Sequence, residues 1–286
     1  MNSRTVTYNI DRAEGEFGAL VAAAAKIRGR IIQLSHQAKT PHLGSSLSFV
    51  ELLVYLYWNF LKISPEIAKD PARDRFVLSK GHGITTLYAV LAERGFFSPE
   101  LFEDYAQAGS PLPEHPSPLC VPGIEAATGS LGHGLSIATG MALASKINEI
   151  PNIVVALLSD GECNEGSTWE AALLAPVHNL DNLIAIVDFN KWQATGRSSE
   201  VTALEPLEEK FESFGWNSIR IDGHDFCQIK SALATAKKSD KPFAIIADTV
   251  KGKGIKMMED DNNWHYRIPS KEEVDSAFEE LGIDPY

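Results

Sequence analysis

Apolar residues fall into two kinds of run along this chain, and the difference between them predicts its elements. In the first kind, hydrophobic positions recur at helical spacing. Residues 16–37 carry Leu20, Ala24, Ile27, Ile31 and Leu34 in that rhythm and predict a long first helix, which Pro41-His42-Leu43-Gly44 breaks. Residues 48–61 (FVELLVYLYWNFL after the serine) predict a second helix, apolar on most faces, as suits a buried core element or a covered interface. Further helices are expected over 84–94, 135–148, 204–214 and 270–281, the last opening on a Ser-Lys-Glu-Glu capping box, and another follows Asp225 as N-cap. The second kind is short: 153–158 and 183–187 are continuous apolar runs, 75–78 and 218–221 are short strands, and 243–248 is another buried strand. Strands alternating with helices predict an α/β fold, a doubly wound parallel sheet flanked by helices, with an extra helical layer at the amino terminus. The length, 286 residues, suits one large α/β domain, and we read 1–286 as one, with about 1–15 as an extension.

The stretch 152–192 organises the rest. One apolar run ends at Ser159-Asp160-Gly161, a helical segment follows, and a second apolar run ends at Asp188-Phe189-Asn190. Such a β-α-β unit delivers polar groups to the carboxyl ends of parallel strands, where open α/β sheets bind ligands. Asp160 and Asn190 both offer an oxygen there, and Gly161 lets backbone approach closely. Oxygen ligands beside a glycine turn and a helix start suit Mg²⁺ carrying a diphosphate.

Composition narrows the partners. With 26 Lys and Arg against 38 Asp and Glu, the net charge is −12 and no basic cluster exceeds a pair, which argues against nucleic acid. Anion binding must then be local, through backbone amides, a metal and a few placed side chains. No stretch reaches the ~20 apolar residues of a membrane span. The start, MNSRTVTYNIDRAEGEF, has no signal-peptide pattern, and three scattered cysteines show no disulfide framework, so a cytoplasmic location is expected.

Polar turns recur at strand ends or helix starts around His42, His82, His133, Asp160 and Asn190, with two more around His224 and His265. Residues 109–130 form a Pro- and Gly-rich segment, too long for an ordinary connector, which carries Glu114-His115-Pro116. A lone histidine in a loop is most often structural; the weight lies in most of these turns gathering on one edge of one sheet.

SDGECNEG…EAALLAPVHNLDNLIAIVDFNK resembles the thiamine diphosphate motif, and LSKGH, GSLGHG and TVKGKG…NWH resemble the signatures of transketolase. The resemblance runs from about Lys26 to Arg267, in the family's order. It implies the diphosphate-binding domain of that family, without the pyrimidine-binding and carboxy-terminal domains. That is the amino-terminal subunit of a split transketolase, which would work with a second subunit in an α₂β₂ assembly.

The resemblance also implies roles. Asp160 and Asn190, with the backbone carbonyl of Trp192, would bind Mg²⁺, and Gly161 and Glu162 would give N–H groups to the diphosphate. Ser159 and Phe189 depart from the family's usual Gly and Asn without removing a ligand. His82 and His265 would contact the diphosphate, with Lys253 near by. His42 and His115 would hydrogen-bond sugar hydroxyls, Gly129 and Leu131 would touch the cofactor rings, His133 would donate to the cofactor or pack, and Glu165 would lie near a subunit interface. His36, His178, His224, Trp169, Trp216 and Trp264 read as structural. The implied reaction moves a two-carbon ketol unit from a ketose (phosphate) to an aldose (phosphate). The competing readings are another thiamine diphosphate enzyme (a 2-oxo acid dehydrogenase α chain or a deoxyxylulose phosphate synthase) and a non-catalytic scaffold.

Overall fold

Five parallel strands, β1 (Arg75–Leu78), β2 (Val154–Ser159), β3 (Leu183–Phe189), β4 (Asn217–Asp222) and β5 (Phe243–Asp248), lie side by side in the order β1-β2-β3-β5-β4. The computed structural model describes residues 15–118 and 120–286, so the expected amino-terminal extension falls outside the described residues except for Gly15. Each strand stands within a residue or two of its predicted position. Val154–Ser159 and Leu183–Phe189 are buried at every residue, as strands covered on both faces must be.

The side-chain period of two sorts these strands into two cores. Phe76, Leu78, Val155, Leu157, Ile184, Ile186 and Ile245 face a layer made by α1 (Gly18–Ala38), α2 (Leu43–Leu47), α3 (Val50–Tyr55), α4 (Ile84–Glu93), α9 (Phe226–Ala236) and α10 (Lys271–Leu281). Val77, Val154, Ala156, Leu158, Ala185, Val187 and Ile246 face α5 (Gly134–Ile147), α6 (Gly166–Val177) and α8 (Leu207–Ser213). A short α7 (Ser198–Val201) lies between β3 and α8. No helix of the described residues is long and apolar enough to cross a membrane.

Three local differences from the sequence reading have physical causes. The helix expected over 48–61 is broken at Phe49, and α3 runs on as a wider π-turn, Leu56–Phe60. The interruption at Pro41-His42 is short, so helical backbone resumes at Leu43. The apolar character of Val50–Tyr55 is spent on the core, since the whole segment is buried. At the other end, α8 starts at Leu207, because Pro206 lacks an N–H and its ring is tolerated only where a helix begins.

The register gathers the polar turns. Leu78 pairs with Leu157, Ser159 with Asp188, and Phe189 with Asp248, so the turns at 79–83, 160–164, 190–198 and 249–254 all leave one carboxyl edge. On the helical side, a buried cluster ties layers together. Arg28 of α1 pairs with Glu51 of α3 at 2.7 Å and donates to the Lys253 carbonyl at 2.8 Å. Glu51 also meets His224 Nδ1 at 3.0 Å, while His224 Nε2 accepts from Val250 N–H at 2.9 Å. Between β1 and α5 the approach is so close that a Cβ on Gly134 would stand 2.1 Å from Ser79 Oγ. Gly134→Ala should therefore overpack this contact and lose about 1–3 kcal/mol, read from urea unfolding midpoints at unchanged slope.

Candidate active site

Four histidines from four separate segments meet at the carboxyl edge. His42 stands in the middle, with ring centroids 5.1 Å from His265, 5.4 Å from His82 and 6.1 Å from His115. Its backbone is left-handed (φ 69°), an uncommon conformation for a non-glycine residue, and its N–H donates to the His265 carbonyl at 2.7 Å. His115 reaches the cluster because Gly129 lacks a side chain: a Cβ there would stand 2.5 Å from the His115 ring. These rings line a cavity of about 390 Å³ whose wall also includes Leu131, Asp160, Asn190, Trp192 and Gln193. That volume is within the range of small-molecule sites.

Opposite the histidines lie the oxygen donors. Asp160 Oδ1 accepts from Gly161 N–H at 2.8 Å, and Oδ2 from the Ser198 hydroxyl at 2.7 Å. Asn190 Oδ1 accepts from Trp192 N–H at 3.1 Å. The loop bearing Trp192 is strapped in place. Arg197 donates to both oxygens of Asp260 at 2.6 and 2.7 Å, Trp192 Nε1 donates to the same carboxylate at 2.8 Å, and the guanidinium stacks 3.7 Å over the indole. No group of three or more His, Cys, Asp or Glu side chains among the described residues is arranged to hold a metal. One carboxylate, one amide oxygen and one backbone carbonyl, all hard donors, leave room for non-protein oxygens, which fits Mg²⁺ held partly by a phosphate ligand.

Burial sets the charges. It lifts the Asp160 carboxyl to about 6, against the hydrogen bond from Ser198. It lowers His42 to about 4, aided by the His115, Lys251 and Lys80 charges, and His265 to about 3, with Lys251 beside it. His82 falls well below the ordinary histidine value through burial, then through the Lys80 charge. Burial and Lys80 together lower Lys251 to about 8. Lys251 Nζ lies 3.1 Å from His265 Nδ1 and 2.7 Å from Asn262 Oδ1. An ammonium can only donate, so His265 Nδ1 is the acceptor and the ring proton sits on Nε2.

Beneath the cavity floor Lys80 and Asp188 form an ion pair at 2.5 Å with neither side chain exposed. Asp188 also accepts from Ser48 at 2.5 Å and from the Thr249 hydroxyl, and Asn190 Nδ2 lies 3.4 Å from it. Lys80 donates to the Ser45 carbonyl at 3.0 Å and sits 4.4 Å over the Phe49 ring.

The structure thus brings together His42, His82, His115, Gly129, Leu131, Asp160, Gly161, Glu165, Asn190, Trp192 and His265. It does not bring Lys253, whose Nζ pairs with Glu259 at 3.0 Å; Lys251, two residues earlier in the same turn, points to the histidines instead. The Gly161 N–H is turned to Asp160, and the Glu162 N–H to Ser159 Oγ at 3.2 Å. His133 is exposed, its Nδ1 3.2 Å from the Leu131 carbonyl. Sequence reasoning missed Lys251, Ser198 and Asp188. The TVKGKG turn pointed to Lys253 instead of Lys251, Asp188 was read only as the polar end of a strand, and nothing local marked Ser198.

A parallel α/β sheet with imidazoles and hard oxygen donors facing one cavity at its carboxyl edge defines a class of ligand-binding, enzyme-like proteins. Comparison with known proteins resolves the class: residues 21–286 match the transketolase, thiamine diphosphate binding domain. The chain belongs to the transketolase family. It is 38% identical over 257 residues to an apulose-4-phosphate transketolase subunit from Phocaeicola vulgatus, covering 90% of this chain and 91% of that one. It is 46% identical over 219 residues to the 6-deoxy-6-sulfo-D-fructose transketolase subunit SqwG of a Clostridium species, covering 76% and 80%. The crystal structure of transketolase from Campylobacter jejuni superposes with a TM-score of 0.85 at 31% identity, over 100% of this chain but only 44% of that one.

These charges make the stability of the fold depend on pH. Because the folded pKa values of His42 and His265 lie below the ordinary 6.5, unfolding takes up protons from pH 6.5 down to about 4 for His42 and about 3 for His265, and their contribution is full above pH 6.5 and lost as pH falls through that range. Asp160, raised in the fold, acts oppositely, so the contrast with variants is the measure. In His42→Asn and His265→Asn the drop in melting temperature from pH 7.5 to 5.0 should shrink; an unchanged drop would show ordinary titration. Separately, Asp188→Ala strands the Lys80 charge and should cost about 3–5 kcal/mol in denaturant unfolding.

Proposed function

We propose that this chain is the thiamine diphosphate- and Mg²⁺-binding subunit of a two-subunit transketolase, moving a two-carbon ketol unit from a ketose to an aldose. The observation that carries the reading is the convergence of His42, His82, His115 and His265 on one cavity with Asp160, Asn190 and Trp192. Asp160 Oδ, Asn190 Oδ1 and the Trp192 carbonyl would hold Mg²⁺. His82 and His265 would bind the diphosphate beside Lys251, a cation placed locally in a chain of net charge −12. His42 and His115 would hydrogen-bond the sugar hydroxyls. The His42 imidazole, kept neutral by burial, can both accept and donate, which is what shuttling a hydroxyl proton requires. Gly129 and Leu131 would contact the cofactor rings. When bound, thiamine diphosphate supplies the electron sink for breaking and making a carbon–carbon bond next to a carbonyl.

The chain spans 44% of the solved transketolase but 91% of a relative that is itself named as one transketolase subunit, which supports a single diphosphate-binding domain completed by a second subunit. The outer face of α6 supports the same reading. Leu173, Leu174 and Val177 are 53%, 45% and 74% exposed, with Ile147 of α5 at 72%, an apolar patch suited to being covered in an α₂β₂ assembly. Free cysteines at 120, 163 and 227 fit a reducing cytoplasm. The relatives are named for different ketoses, so the reading commits to ketoses as a class.

The full chain alone, given thiamine diphosphate, Mg²⁺ and a panel of ketoses and aldoses, should show no ketol transfer; activity should appear once its partner subunit is added and vanish with a chelator. Asp160→Ala should weaken Mg²⁺-dependent cofactor binding by about a hundredfold in titration calorimetry. Stoichiometric turnover by the chain alone would sink the two-subunit reading.

A further inference from the structure

Glu162 has no part in the reaction as described, yet its carboxylate is fully buried behind the cavity wall. Oε1 accepts from the Gly132 N–H at 2.8 Å and from the Ser79 hydroxyl, while Oε2 has no hydrogen-bond partner among the described residues. Its backbone is equally committed: the N–H donates to Ser159 Oγ at 3.2 Å, and the carbonyl accepts from the Thr168 hydroxyl at 3.0 Å. A buried carboxylate with one oxygen unsatisfied is a poor local choice, since the desolvation of that oxygen is not repaid.

What this side chain gains is position. Ser79 directly follows β1 and stands three residues before His82. Gly132 follows Leu131 in the glycine turn that opens α5. Asp160 lies two residues before Glu162 itself. His82, Leu131 and Asp160 all line the cavity, and Glu162 does not. One carboxylate oxygen therefore fixes three turns, which are far apart in sequence, at a common spacing behind the wall they form. A carboxylate suits this because hydrogen bonds to an ionised acceptor are shorter and stronger than those to a neutral one.

We propose that Glu162 is a positioning residue for thiamine diphosphate, acting through Gly132 and Ser79 to hold the Leu131 turn and the His82 turn against the Asp160 loop. The inference rests on the functional reading above. It is tested with the full chain assembled with its partner subunit, by calorimetric titration with thiamine diphosphate at saturating Mg²⁺, alongside kcat at saturating cofactor. Glu162→Ala should raise the cofactor Kd by about tenfold or more while kcat stays within about threefold, and Glu162→Gln, which keeps the acceptor oxygen, should restore Kd to within about threefold of the wild type. Unchanged binding in Glu162→Ala, a Gln variant as weak as the Ala variant, or a fall in kcat at intact affinity overturns the proposal. Should Glu162→Ala fail to fold, Ser79→Ala decides: a raised Kd supports the proposal, and a wild-type Kd overturns it. A wild-type assembly that takes up no thiamine diphosphate overturns the functional reading and this inference with it, whereas binding that is indifferent to position 162 overturns this inference alone.

Discussion

The buried Lys80–Asp188 pair is the constraint on which the site depends. Lys80 is two residues from His82, and Asp188 is two residues from Asn190, so the pair sets how far the histidine turn stands from the oxygen-donor turn. It also reaches outward, to Ser48 and Ser45 around α2, to Thr249 at the end of β5, and to the face of Phe49. Two well-packed apolar side chains would often be at least as stable there, because desolvating both charges offsets most of their attraction. The ionic version differs in having direction. Hydrogen bonds to Asp188 hold four segments at defined distances, and a greasy contact would let them slide.

Burial then does chemical work at the same edge. His42, His82 and His265 are kept neutral, the Asp160 carboxyl is lifted towards neutrality, and Lys251 is brought down to about 8. Each shift expresses a charge, or the prospect of one, withdrawn from water without a full complement of partners. A divalent cation with a polyanionic ligand would reverse that balance, stabilising ionised Asp160 and protonated Lys251 together. The net charge of the chain says nothing about this balance, which groups at one sheet edge set among themselves.

Much of the architecture was legible along the chain. The strand runs read at 153–158 and 183–187 were legible because burial on both faces demands unbroken hydrophobicity over a short, turn-bounded stretch. The capping box at Ser270 and the N-cap at Asp225 were legible because capping is a contact between residues two or three apart. The break at Phe49 left no mark in the apolar run, whereas the late start of α8 follows from Pro206, a local signal that the helical spacing over 204–214 masked. Among the site residues, the histidines and the Asp160 and Asn190 turns stood out through glycine-flanked motifs. Lys251 and Lys253 share one motif and one composition. Only the packing of the turn after β5, with Gly252 against Met258 and Lys253 against Glu259, aims one of them inward.

By itself, then, the sequence determined the parallel α/β class, the edge at which ligands would gather, and most of the side chains that gather there, because periodicity, capping and turn chemistry act over a few residues. Only the tertiary structure decided that Lys251 faces His265, that Ser198 supports Asp160, and that Asp188 and Glu162 lie beneath the cavity wall. Those roles follow from contacts between residues 14 to 108 positions apart, and a distance of 2.5 Å across a buried sheet edge leaves no mark on the local pattern of hydrophobic and polar residues.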